Sequence, residues 1–196
     1  MNDVQLWGIM KQEKTKDKII EQTIELIQQS NGLIENITIR KIADKSRVGL
    51  GLINHHFGTK DALIEECVQR IISEVIGAFR PDPAEAEEKT IETTKRVAKQ
   101  VMDFLMNNPE ISKISILGDL KHPKERDNTM GTVHGFGNRL SGGNIQSSHK
   151  INSFMITCVM QVAFLRKDTL RQTLGIDFDE KAQRDAFIED LIERFR

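Results

Sequence analysis

The sequence predicts an all-α protein, and three observations predict it. Apolar residues recur at helical spacing along nearly the whole chain. Runs that alternate apolar and polar residues are almost missing. Glycine, proline and asparagine cut the chain into pieces of helical length. With 196 residues, 38% hydrophobic and 29% charged, the chain is long enough to bury a core without disulfides or metal.

The elements follow in order. Residues 1–13 read as an N-terminal arm, either frayed or the first turns of an early helix, with one apolar cluster, Leu6, Trp7, Ile9 and Met10. A helix from about Thr15 to Asn31 carries the stripe Ile20, Ile24 and Ile27 and stops at Asn31-Gly32. Thr38 caps a short helix from Ile39 to Lys45, which Arg47-Val48-Gly49 breaks. A second short helix, Leu50 to Phe57, has Ile53 and Phe57 on one side and ends at Gly58. Thr59 caps a long helix to about Phe79, with Asp61 favourably placed against the dipole of its first turn. Arg80-Pro81-Asp82-Pro83 is the strongest punctuation in the chain. Beyond it lie helices over about 84–107, 109–120, 125–140 and 149–167, a helical turn at 170–174, and a last helix from Asp179. In the fourth of these segments, ten of the twelve residues from Phe154 to Leu165 are apolar, so the helix is expected to be buried on several sides, either centrally in its own domain or between that domain and a partner.

Composition excludes several function classes. A net charge of −1 gives no global pull toward polyanions, so any basic surface must be local. Cys67 and Cys158 stand too far apart in sequence for a ligand pair and read as reduced core thiols. The adjacent His55 and His56 point about 100° apart on a helix, a poor chelate, so no metal and no cofactor is expected. There is no nucleophile elbow, His-x-x-x-His pair or glycine-rich phosphate loop, and the chain is not expected to be an enzyme. Met1–Met10 carries Asp3 and no sustained apolar run, and the run at 154–165 is too short to span a bilayer. A cytoplasmic protein without membrane contact is expected.

Charge is segregated. From Asn36 to Lys60 there are five cations, Arg40, Lys41, Lys45, Arg47 and Lys60, against one anion, Asp44. That segment is therefore +4 inside a chain of −1. Two short helices joined by a tight turn are the helix-turn-helix pattern, whose second helix enters the DNA major groove while the first crosses the backbone. Thr38 and Lys60 stand at helix starts, where free amides and a hydroxyl or ammonium offer phosphate seats. Gly49 and Gly51 let the backbone come close to DNA. Asn54 and His55 are the candidate polar base readers, Leu50 and Leu52 offer apolar contact to thymine methyls, and His56 supports a phosphate contact.

The stretch TIRKIADKSRVGLGLINHHFGTKDALI resembles the signature of the TetR family of bacterial transcriptional regulators. The resemblance rests on Thr38, Ile42-Ala43, Val48, Gly51, His56-Phe57, Lys60 and Leu63 and runs from Lys14 to Leu63. Three positions depart from the signature: Arg47 where the family usually has glycine in the turn, Gly49 where a serine often caps, and Asn54 where a tyrosine usually meets phosphate. The resemblance implies a DNA-binding domain over 1–60 and a helical ligand-binding and dimerisation domain over 61–196. It implies binding to a double-stranded operator as a homodimer, with Met160, Phe164, Phe187, Leu191 and Phe195 in the subunit interface. It implies repression relieved by an apolar or amphipathic small-molecule effector, in a pocket lined by Met102, Phe104, Leu117, His134, Phe136, Met155 and Cys158. The other reading is a protein-interaction regulator on the same fold that binds a partner protein instead of DNA.

Overall fold

The computed structural model describes the backbone of residues 3–78, 91–141 and 146–195, and the side chains of all of these but 3–11 and 75–78. Among the described residues there are ten α-helices and no strand: α1 (Asp3–Gln28), α2 (Ile39–Ser46), α3 (Leu50–Phe57), α4 (Lys60–Ala78), α5 (Ile91–Asn107), α6 (Pro109–Lys121), α7 (Asn128–Leu140), α8 (Ser147–Leu165), α9 (Lys167–Leu174) and α10 (Lys181–Glu193). A single 3₁₀ turn, Ile34–Asn36, lies between α1 and α2. None of the described helices is long and apolar enough to cross a membrane.

Several boundaries differ from expectation. The arm expected over 1–13 is helix from Asp3 onward, continuous with α1; no proline or capping residue separates the charged stretch 11–18 from the apolar stripe. The side chains of Leu6, Trp7, Ile9 and Met10, and the helix start expected at Ala84, lie outside the described residues. The helix expected from His149 to Lys167 stops at Leu165, because Arg166 leaves helical geometry at φ −113, ψ 18. A separate eight-residue helix then takes Lys167–Leu174 and ends on Gly175 at φ 70.

The chain folds as two compact units, one built on the segment up to Ala78 together with Glu110–Ser115, the other on the remainder. Residue 60, the expected boundary, thus falls inside the first unit. The physical reason is α4: its buried stripe Leu63, Ile64, Cys67 and Val68 completes the same core as Ile19, Ile20 and Ile27 of α1, Ile42 of α2 and Ile53 and Phe57 of α3. A helix carrying that stripe cannot leave the core without exposing apolar surface at about 25 cal/mol per Å². Cys67 is fully buried, with Sγ 3.7 Å from the Ile20 carbonyl, and burial pushes its thiol up to about 12. It is an inert core thiol, as expected. Lys16–Glu66 at 2.6 Å and Arg70–Asp17 at 2.9 Å stitch the exposed edge of the α1–α4 contact.

The second unit has its own core: Met102 and Leu105 of α5, Phe136 of α7, Ile156, Met160 and Phe164 of α8, and Ile188 and Ile192 of α10, closed by Phe178. Several polar groups are buried with it, two of them charged, Arg184 and Asp119. Arg184 donates from Nη2 to Asp103 Oδ1 at 2.7 Å and from Nη1 to the Phe178 carbonyl at 2.6 Å, while Lys181 holds the other Asp103 oxygen at 2.9 Å. Burial works to raise the Asp103 carboxyl, but the hydrogen bonds from Lys181 and Arg184 outweigh it and hold the group below its usual range. Asp119, also buried, accepts from the backbone amide and the hydroxyl of Thr129 at 2.8 and 2.9 Å in the first turn of α7, whose cap is Asp127, accepting from the Met130 amide at 2.8 Å.

Candidate nucleic-acid interface

The helix pair α2–α3 is built by local signals. The Thr38 hydroxyl accepts from the Lys41 amide at 3.2 Å, capping α2. At the other end the Val48 amide reaches the Ala43 carbonyl at 3.1 Å, a bond that requires a left-handed residue just before it. That residue is Arg47, at φ 54, ψ 47. A glycine adopts this conformation freely, and arginine does not. Arg47→Gly is therefore expected to raise unfolding stability by up to about 1 kcal/mol, since relief of the left-handed strain exceeds the added freedom of the unfolded chain. A thermal melt of the variant checks this; a melting temperature below the native one contradicts it. Gly49 then caps α3 in extended geometry, and Gly58 closes it at φ 72.

Within α3, Ile53 and Phe57 are buried in the first core. At 100° per residue, Gly51 and His55 lie on the opposite side, flanked by Leu52 and Asn54. All four are exposed, and Leu50, at the first helical position, is 42% exposed. The expected surface residues Thr38, Arg47, Gly49, Leu50, Gly51, Leu52, Asn54 and His55 are thus all at the surface of one helix-turn-helix. His56 is different: it is half-buried, its Nε2 is shielded from solvent, and its ring packs 6.0 Å from that of Phe57. Lys60 also departs from the reading that aimed it outward. Its ammonium donates to the Ile34 carbonyl at 3.2 Å and ties the start of α4 to the 3₁₀ turn.

The cations divide by what holds them. Lys45 pairs with Glu25 at 3.0 Å, and Lys41 donates to the Asn36 carbonyl at 2.9 Å. Arg40 and Arg47 stand exposed on α2 and in the turn. The outer face of α3 carries no lysine, arginine or carboxylate, so the fixed positive charge lies on α2 and in the turn, and α3 itself presents two leucines, one amide and one imidazole.

The residues expected in a ligand pocket differ in burial. Met102 and Phe136 are buried side chains of the second core, with Phe104 partly buried against it. Leu117, His134 and Met155 are exposed, and Cys158 is half-buried, its thiol raised by desolvation. An open cleft lies in the first unit, between α1 and α4, lined by Lys16, Asp17, Glu66 and Arg70 among others.

The residues expected in a subunit interface are likewise redistributed. Met160, Phe164 and Leu191 belong to the core of their own chain, Phe195 packs partly buried against it, and Phe187 sits edge-on to Phe178 at 5.0 Å. The burial expected all round α8 is found on one side only. Its other side shows Ile151, Phe154, Met155, Val159 and Val162 to solvent, with no charged residue between Lys150 and Arg166. Sequence reasoning allowed one side of this helix to face its own domain and another a partner, but it put Met160 and Phe164 on the partner side, because an all-apolar helix carries no periodic signal telling its two sides apart.

Residues 19–67 match the family model described as bacterial regulatory proteins, tetR family. That span begins in α1 and ends in α4, so it covers the helix-turn-helix and the helices that pack behind it. The chain is also 25% identical over 96 residues to the HTH-type transcriptional regulator BetI 1 of Chromohalobacter salexigens, a match covering 49% of this chain and 45% of the relative. The chain thus aligns with less than half the length of that curated relative.

Proposed function

We infer that this chain, which carries the TetR-family DNA-binding domain over residues 19–67, is a transcriptional regulator that binds double-stranded DNA through α3 as a homodimer. The observation that carries the reading is the outer face of the helix-turn-helix. α3 presents a side chain-free position, Gly51, on its exposed side, and the exposed cations Arg40 and Arg47 belong to the same helix-turn-helix. A helix docked in a major groove needs that close approach, and the flanking cations meet the phosphates. Two copies are required for the pair of half-sites about one DNA turn, 34–36 Å, apart. The uncharged outer side of α8 supports assembly through that surface.

The regulatory half of the proposal is a population shift. The second unit binds an apolar or amphipathic small molecule, in keeping with the Met102, Phe104 and Phe136 cluster, and the DNA-competent dimer is a repressor. The effector releases DNA by binding more tightly to a state whose two recognition helices are wrongly spaced, and its leverage is its differential affinity for the two states.

Gly51→Ala tests the DNA reading. A methyl group at Gly51 meets no protein atom within 4 Å. The variant should therefore fold, and should gain about 0.5–1 kcal/mol of stability because alanine outranks glycine within a helix. Its affinity for duplex DNA at low salt should nevertheless fall several-fold, as the added methyl holds the helix off the groove. A variant more stable and equally tight on DNA would remove α3 from the interface.

A further inference from the structure

The first turn of α3 is chemically unusual for a base-reading helix. Its residues are Leu50, Gly51, Leu52 and Ile53, preceded by the cap Gly49. Ile53 is buried, and the two glycines have no side chain. What the turn offers a groove is therefore two leucine side chains, Leu50 at 42% and Leu52 at 37% exposure. No hydrogen-bonding side chain occurs until Asn54 in the following turn. In the first unit these leucines are, with Leu33 on the loop after α1, the exposed large apolar residues among the described ones.

A leucine in water beside a cationic surface is the wrong side chain for phosphate and for the donor and acceptor groups of base edges. The major groove has one apolar feature that matches it, the C5-methyl of thymine. The N-terminal residues of a recognition helix are the ones that reach the base edges. Here the bare Gly51 between the leucines lets the backbone come near enough for short side chains to touch those methyls. The cations on α2 and in the turn, Arg40 and Arg47, supply the charge complementarity that seats the same surface on a polyanion.

We propose that Leu50 and Leu52 are specificity-determining residues that read thymine C5-methyl groups, so that each operator half-site carries thymine where the first turn of α3 meets the groove. The proposal rests on the DNA-binding reading above. It makes discrimination at those positions depend on a methyl group, with hydrogen-bond readout left to Asn54 and His55 further along the helix.

The test uses the full chain and duplexes it enriches from a random-sequence pool. Each thymine of an enriched half-site is replaced in turn by deoxyuridine, which removes the methyl and leaves every hydrogen-bonding group in place. One or two positions per half-site should lose affinity by about four-fold each, the factor that corresponds to one buried carbon. Leu50→Ala and Leu52→Ala, at exposed positions that the fold does not need, should bind the thymine duplex more weakly and lose the thymine-over-uracil preference at one position each. Equal affinity across all deoxyuridine duplexes overturns the proposal. So does full discrimination by the alanine variants, which would assign the leucines to another partner, such as a protein. A pool from which nothing is enriched overturns the DNA-binding reading itself, and this proposal with it.

Discussion

Val162→Glu is expected to turn a dimer into a monomer while leaving the fold intact. Val162 is 52% exposed on α8, so within one chain a glutamate there remains in water and changes stability by no more than about 0.5 kcal/mol. The effect appears only if a second copy covers that side. An isologous interface then buries the new charge twice, once on each subunit, and a carboxylate desolvated without a partner costs several kcal/mol. Light scattering should report half the native mass, with an unchanged circular dichroism spectrum. DNA affinity should fall by about a hundredfold or more, because the second half-site no longer binds at the effective concentration set by the first. The control is Phe164→Glu, at a side chain 2% exposed in the core of its own unit, which should unfold that unit rather than merely dissociate it. A Val162→Glu chain of native mass would show that α8 is not where copies meet.

Removing the Asp103 carboxylate should destabilise the second unit strongly without unfolding it. Arg184 is buried and donates two hydrogen bonds to Asp103 and one to the Phe178 carbonyl. In Asp103→Ala the guanidinium keeps only the last. Loss of one partner of a buried pair destabilises by 3–5 kcal/mol in fully closed sites; with the Asp103 side chain 28% exposed, about 2–3 kcal/mol is expected. The same site sets an acid limit. Asp103 has a carboxyl held below its ordinary 3.8, so its contribution is fully present above that value and is lost as pH falls through the folded-state value. Native stability should therefore drop on acidification below about pH 4, and part of that drop should vanish in Asp103→Asn. A native chain and an Asp103→Asn chain with parallel acid profiles would contradict the assignment.

Much of the first unit was legible because its signals are local. The bounds of α3 are the same in sequence and structure, Leu50 to Phe57, since Gly49 and Gly58 mark both ends and Ile53 and Phe57 give the inward face. The capping role of Thr38 was legible for the same reason. The placement of Lys60 was not: a lysine at a helix start looks the same whether it meets a phosphate or a carbonyl 26 residues earlier in the chain. The pairing of Asp103 with Arg184, 81 residues apart, and the bonds from Thr129 of α7 to Asp119 of α6 depend on how helices meet in space, which no short-range pattern encodes. Phe164 and Val162 show the same gap within one helix. Both are apolar, and only the packing of α8 decides that one enters the core and the other faces out.

The central claim is that the cationic helix-turn-helix engages the phosphates of duplex DNA, and its salt dependence tests that most directly. Dissociation constants for one duplex, measured from low to physiological salt, should rise steeply, with a log–log slope of about 0.9 for each phosphate neutralised. Arg40→Ala should weaken binding to all sequences alike and lower the slope by roughly one unit per subunit engaged. Binding that is insensitive to salt, or a slope unchanged in Arg40→Ala, would contradict the account.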